Sequence, residues 1–282
     1  MSKRDVRDPI RRAAFAGRWY AGGAADLLRD VDRYLAAGPP PHPAIRALIS
    51  PHAGLMYSGP IAGYGYAAVS GGDYDVVVLV GPSHYKAFNG VAVVARGSFD
   101  SPLGALPIDE SLASTLAEAA DLVTVDVEVH AREHSLEMQL PFLARVLPGV
   151  PIVPLIIGAQ RRAVTHALGD LLAAHLAERR ALLIASSDLS HFLPRAAAVR
   201  LDTRVLECLA RFDADDLDRA LSEEPNHACG GGAIVTVLRA AHALGADTGA
   251  VLKYGDSGDV SGDTDSVVGY VSATFGKLLG DA

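Results

Sequence analysis

Cysteine is scarce in this chain: Cys208 and Cys229 are the only two in 282 residues, so no disulfide framework holds it together. None is needed. A chain of this length with half its residues hydrophobic buries a core that folds without staples. A bound metal is then expected to be functional rather than structural. Positive charge is also short, with 25 Lys and Arg against 33 Asp and Glu, a formal net charge of −8, and no basic block or stripe. Nucleic acid and anionic membrane surfaces both require clustered positive charge, so neither is expected as a partner. Long apolar runs are missing. The longest, residues 150–158, contains prolines and falls short of the ~20 residues that cross a bilayer. The opening Met1-Ser2-Lys3-Arg4-Asp5 lacks the apolar core of a secretory signal, which points to a reducing cytoplasm. Phosphate-cradling loops are missing too. No glycine-rich loop runs into Lys-Ser or Lys-Thr, and Gly59, Gly63 and Gly65 lack dinucleotide-binding spacing.

What is present is an alternation of two periodicities. Short β-branched runs occur at residues 47–50, 76–80, 91–95, 150–157, 181–186, 250–254 and 267–273. Those at 76, 150 and 181 are nearly continuous apolar runs, the pattern of strands buried on both faces. Between them apolar residues recur at helical spacing, as in Leu136, Leu140, Leu143 and Leu147, or Ile234, Val237, Leu238 and Ala241. Strands alternating with helices predict an α/β fold: one layered domain with a largely parallel central sheet flanked by helices. No linker divides residues 1–282, and the start, residues 1–13, is expected to be disordered.

Open α/β sheets bind ligands outside the carboxyl ends of their strands. Three predicted strands end in polar segments that each carry a histidine: Pro51-His52-Ala53-Gly54, Gly81-Pro82-Ser83-His84 and Ser187-Asp188-Leu189-Ser190-His191. Two further segments open helices, Glu133-His134-Ser135-Leu136-Glu137 and Asn226-His227-Ala228-Cys229-Gly230. A cysteine at a helix N-terminus is expected to favour its thiolate, because the helix dipole and free N–H groups stabilise negative charge. Two neutral imidazoles and one anion on one side of an ion form a facial set that leaves positions open. The bland readings fall elsewhere. His42, His130, His166, His175 and His242 are expected to be hydrogen-bonded or solvated, and Cys208 to be core. The Asp-rich residues 256–265 match a calcium loop in composition but not in spacing, and read as a polar loop over the site mouth.

Taken in order, Ala16-Gly17-Arg18-Trp19-Tyr20, Pro51-His52-Ala53-Gly54, Gly81-Pro82-Ser83-His84, Glu133-His134-Ser135-Leu136-Glu137-Met138-Gln139-Leu140-Pro141, Ser186-Ser187-Asp188-Leu189-Ser190-His191, Cys229-Gly230 and Ser266-Val267-Val268-Gly269-Tyr270 resemble the Memo family, whose prokaryotic members are called AmmeMemoRadiSam system protein B. The resemblance implies a fold like that of the class III extradiol dioxygenases. It implies a metal centre at His52, His84 and Cys229, with iron(II) as the favoured ion and copper or zinc as alternatives. His134, Asp188 and His191 would line the pocket as proton-transfer groups, Asp188 orienting an imidazole. After Cys229-Gly230 this chain has Gly231 and Gly232, where animal members have a basic residue and a histidine. Partner proteins with AMMECR and radical-SAM domains are a further implication of the kinship. The function expected is a non-haem iron redox protein, an oxygenase of a small aromatic substrate. Two other classes stay open: a non-catalytic module that kept the pocket to bind a peptide or protein, and a hydrolase with Cys229 as nucleophile and His227 or His191 as base.

Overall fold

The structure, a computed structural model, describes residues 9–277. Four parallel strands form its centre. Val76–Pro82 lies between Ile152–Ile157 and Ala181–Ser186, and Ile45–Ser50 pairs with the other side of Ala181–Ser186. Nearly every residue of the four is buried, as unbroken apolar runs require when helices cover both faces. Outside this centre the directions change. Val267–Gly276 runs antiparallel to Ile45–Ser50 and carries Thr248–Asp256 and His191–Leu193, both antiparallel. On the far side Val91–Val93 is antiparallel to Ile152–Ile157 and parallel to Val123–Val125. The parallel expectation therefore holds for the centre of a nine-stranded mixed sheet. Around it pack helix pairs, Ala24–Leu35 on Leu55–Ala68 and Arg162–Leu176 on Gly231–Ala243.

Register is what creates the site. Ile49 and Val80 both pair with Ala185, so three neighbouring parallel strands end at one level. The segments that follow them, carrying His52, His84 and Asp188, emerge side by side.

Three expectations need correction. Order begins before residue 14: Ile10–Arg11 is a strand paired with Ser98–Phe99, while residues 1–8 lie outside the described residues. The leucine-spaced run at 136–147 is two helices, His134–Glu137 and Leu140–Val146, interrupted where Pro141 opens the second. The Asp-rich segment includes the short helix Gly258–Ser261, and Arg195 holds it through Asp256 at 2.5 Å and Asp259 at 2.8 Å. No helix among the described residues is long and apolar enough to cross a membrane.

Candidate metal centre

His52 is buried just past the end of Ile45–Ser50. Its Nδ1 lies 2.9 Å from the Ser186 hydroxyl. That hydroxyl has one proton, donated to the Ser135 carbonyl at 2.6 Å, and it also accepts from the Gln139 amide at 2.9 Å. The Gln139 orientation follows from its own carbonyl, which accepts from the Tyr66 hydroxyl at 2.7 Å. With its proton committed, Ser186 can only accept from His52. Nδ1 of His52 therefore carries the ring hydrogen, and Nε2 presents a lone pair.

His84 arrives at the same result by another route. Its Nδ1 is 2.8 Å from the Glu133 carboxylate, and its backbone N–H donates to the other oxygen at 2.6 Å. A carboxylate accepts, so this ring too carries its hydrogen at Nδ1, and as a neutral ligand it offers the lone pair of Nε2. Burial opposes ionisation of Glu133, but the His84 ring and the backbone amides of His84 and Ser135 outweigh it and hold the pKa down at about 2. A carboxylate behind an imidazole in this way is the usual support of a metal-bound histidine. Glu133→Gln is expected to weaken metal binding ten- to a hundredfold, about the cost of losing such a support. Competition against a chelator measures this, and unchanged affinity would take Glu133 out of the site.

Cys229 reaches the cleft on a loop fastened on several sides. Its N–H donates to the Asp188 carbonyl at 3.2 Å, and the N–H of Gly230 donates to the Ser187 hydroxyl at 2.9 Å. The Gln160 amide bridges the loop, donating to the Cys229 carbonyl at 2.7 Å and accepting from the Gly232 N–H at 2.8 Å. The glycines follow from this crowding. A Cβ at 230 would stand 2.4 Å from the Ser186 carbonyl, and one at 232 would stand 2.8 Å from the Gln160 side chain. Sγ of Cys229 is 3.1 Å from Nε2 of His52.

One ligand atom each from His52, His84 and Cys229 thus lies within 4.8 Å of the others. Small side-chain movements close that spread on an ion bonded at about 2.0–2.3 Å. Two imidazole nitrogens freed by their partners and one sulfur make a donor set that fits a transition metal.

The remaining predicted residues fare differently. His134 stacks on His84 at 4.2 Å between ring centroids and meets His52 edge-on at 5.3 Å. Burial, then the neighbouring His52 and His84, pull its pKa down to about 3, so the ring is neutral. His191 donates Nδ1–H to the Leu189 carbonyl at 2.8 Å, leaving Nε2 free. Asp188 does not orient an imidazole. Its carboxylate accepts the backbone N–H groups of His52 at 2.7 Å and Ala53 at 3.2 Å, so it fixes the loop that carries His52. Burial pushes its carboxyl upward.

The thiolate expectation for Cys229 is overturned. The helix begins only at Gly231, and burial of the sulfur, reinforced by Asp188, pushes the thiol well above its ordinary range. What the helix start offers the sulfur is outweighed, so it is not activated as a nucleophile; a divalent cation would displace its proton. Of the bases expected for a hydrolase, His227 is engaged elsewhere, bonding the Leu201 carbonyl at 2.9 Å, and the imidazole on the sulfur is that of His52 rather than His191. Cys208 is buried and His130 is hydrogen-bonded, to the Ala92 carbonyl at 3.1 Å, as expected. His166, partly exposed, is hydrogen-bonded to Asp218 at 3.2 Å.

The chain as a whole is similar to several known proteins. The family model described as "Memo-like protein" matches residues 11–274. A "MEMO1 family protein" of Thermotoga maritima is 36% identical over 276 residues, covering 93% of this chain and 98% of its own. Another, of Nitrosopumilus maritimus, is 33% identical over 273 residues, covering 94% and 99%. Among solved structures, the uncharacterized protein JW3007 of Escherichia coli K12 superposes with a TM-score of 0.53 at 19% identity, over 81% of this chain and 99% of that one, a likeness of fold.

Proposed function

The chain belongs to the Memo family, and from that premise we propose that it is a non-haem iron redox protein whose metal is held by His52, His84 and Cys229. The observation that carries the reading is the pair of imidazoles locked as Nδ1–H tautomers by Ser186 and Glu133, each offering Nε2 beside Sγ of Cys229. Iron(II) is preferred over copper or zinc because two neutral nitrogens and one anion on a single face leave positions for small molecules. When bound, that ion would supply one-electron and dioxygen chemistry.

The chain's own residues then have distinct tasks. Ser186 and Glu133 orient the two rings. Asp188 and Gln160 hold the loops that carry His52 and Cys229. His191, with Nε2 free, accepts a proton from a substrate hydroxyl. His134, neutral and stacked on His84, walls the cleft and excludes water from that side. A small aromatic substrate suits a cleft walled by rings. Free thiols at both cysteines suit a cytoplasmic setting. Association with AMMECR-domain and radical-SAM proteins is carried by family kinship.

Anaerobic iron(II) titration of the wild type and of Cys229→Ala tests the ligand set. Removing the sulfur is expected to weaken binding by tenfold or more, by analogy with the ~10–100-fold cost of losing even an outer partner. Equal affinity in both proteins would remove Cys229 from the centre and the iron reading with it.

A further inference from the structure

The metal cleft lies past the carboxyl ends of the central strands; a second hollow lies at their amino ends. A cavity of about 640 Å³ is lined there by His42, Arg46, Tyr74, Arg180 and Lys277. A smaller one of about 350 Å³ adjoins it, and the two share His42, Ile45, Ala68 and Lys277 as a common wall. Beyond that wall the smaller cavity carries no charged side chain, and Pro39, Pro40, Ala250 and Leu252 line it. Both volumes fall in the range of about 300–1,000 Å³ that small ligands occupy. The wall is stiff, because residues 39–43 read Pro-Pro-Pro-His-Pro and rings fix four of the five φ angles. It is also pinned at both ends. A Cβ on Gly38 would stand 2.4 Å from that of Ala67, and the His42 N–H donates to the Ala68 carbonyl at 2.8 Å.

Charge divides the two cavities. The larger holds one carboxylate, Asp73, and Arg180 takes it, together with Asp75 at 2.7 Å. Arg46 gives one N–H to the Arg179 carbonyl at 3.1 Å and, like Lys277, forms no ion pair among the described residues. Other surface arginines are unpaired too; Arg46 differs in lining one cavity with a second unpaired cation. The Ala44 N–H donates to Nδ1 of His42 at 3.3 Å, so the neutral ring carries its hydrogen at Nε2 and is a further donor. Helix Leu55–Ala68 ends at this cavity, and the negative end of its dipole opposes an anion. That end counts about half a charge against two full positive ones, and the N–H groups of His42 and Ser70 already satisfy the carbonyls of Ala68 and Ala67.

We propose that the two cavities form one binding site for small amphipathic anions, with the carboxylate or phosphate held by Arg46 and Lys277 and the apolar tail laid along Pro39, Pro40 and Leu252. Lys277 lines both cavities, as a side chain with an apolar stem and a charged tip can. Arg46 keeps N–H donors beyond the one given to the Arg179 carbonyl, and a guanidinium matches either anion. The site stands apart from the metal reading, because the central strands, six or seven residues or about 20 Å long, separate it from His52, His84 and Cys229.

Calorimetric titration of the full chain with octanoate, octyl phosphate and neutral octanol tests the site, and amide chemical shifts locate the ligand. The wild type is expected to bind at least one anion about tenfold or more tightly than octanol, in line with charge-assisted contacts. The stronger anion names the head group. The preference should shrink as salt rises from ~50 to ~500 mM. Shortening octanoate to hexanoate should weaken binding by up to about fourfold per methylene, the worth of a buried CH₂. Shifts should gather at residues 39–46, 248–252 and 277 and leave His84 and Cys229 unmoved, with or without iron(II). Lys277→Gln and Arg46→Gln should each reduce the preference and the double variant abolish it, while Arg46→Lys retains it. Equal binding of octanol, no dependence on tail length, a preference that survives in the double variant, or shifts centred on the metal cleft overturns the proposal. Should the double variant fail to fold, Lys277→Gln decides alone, since that side chain is exposed and an unchanged preference there overturns the proposal as well.

Discussion

Glu137→Ala is expected to lower the stability of the protein by about 3–5 kcal/mol, the cost of leaving a buried charge without its partner. The Glu137 carboxylate is fully buried. It accepts from the Arg11 guanidinium, from the backbone N–H groups of Ala14 at 2.9 Å and Phe15 at 2.8 Å, and from the Tyr20 hydroxyl at 2.6 Å. Arg11 is itself almost inaccessible, with 6% of its side chain exposed. Truncation to alanine strands that cation and orphans three further donors, each costing about 1–3 kcal/mol if nothing replaces it. The consequence reaches the site. The tethered segment ends in Trp19, which packs on His134, so the variant should also loosen one wall of the cleft. Urea unfolding gives the stability, and a red shift of Trp19 emission in the folded baseline gives the loosening. A loss below about 1 kcal/mol would mean that the carboxylate is merely accommodated, as exposed ion pairs often are.

The two glutamates of one short motif thus face different ways. Glu133 holds His84 and Glu137 holds the N-terminal segment, though both lie on the same His134–Glu137 turn and its cap. Sequence reasoning names the motif but not this division, since each carboxylate's partner comes from a distant part of the chain. The central strands were legible because runs such as Val76–Val80 have nowhere to hide five apolar side chains except between two layers of helices. The two-residue strands Ile10–Arg11, Ser98–Phe99 and Leu106–Pro107 were not, because two residues carry no period. The runs at 91–95, 250–254 and 267–273 were legible as strands, but their antiparallel direction was not: strand direction is set by connections, and an apolar run looks the same either way.

The site divides along the same line. His52, His84 and Cys229 stood out because chemistry-bearing residues follow strands or precede a helix, and strand register brings those ends together. Ser186, Gln139 and Gln160 escaped because a buried polar side chain announces itself only through its partners. The rule that a helix N-terminus favours thiolate misjudged Cys229 because it is local. Burial and the Asp188 charge are tertiary facts, and at this sulfur they outweigh the dipole. Asp188 was placed correctly at a strand end, but whether a carboxylate holds a ring or a backbone depends on which N–H groups the following turn directs toward it.

Acidification is expected to weaken the fold by about 3 kcal/mol between pH 6.5 and 4 through one side chain, His130. Its Nε2–H donates to the Ala92 carbonyl at 3.1 Å, while Nδ1 is buried with no partner. A second proton would have to enter at Nδ1, away from water. Burial, together with the charge of Arg11, whose Nε–H donates to the His130 carbonyl at 3.0 Å, pulls the pKa down to about 4. In the unfolded chain the ring titrates near 6.5. Between these values the unfolded state binds more protons than the folded one, so stability is complete above about pH 6.5 and falls as the pH drops toward 4. His52 and His134 are shifted the same way and add to the slope, whereas Asp188, raised by burial, works against it. His130→Gln keeps a donor for Ala92 and removes the titration. Urea unfolding of both proteins from pH 4 to 7.5 should therefore show the variant's stability curve flatter by about 3 kcal/mol across that window, whatever its stability at neutral pH. Parallel curves would mean that the ring is already solvated enough to take its second proton in the folded state, and that the acid sensitivity of this fold resides in the histidines of the cleft.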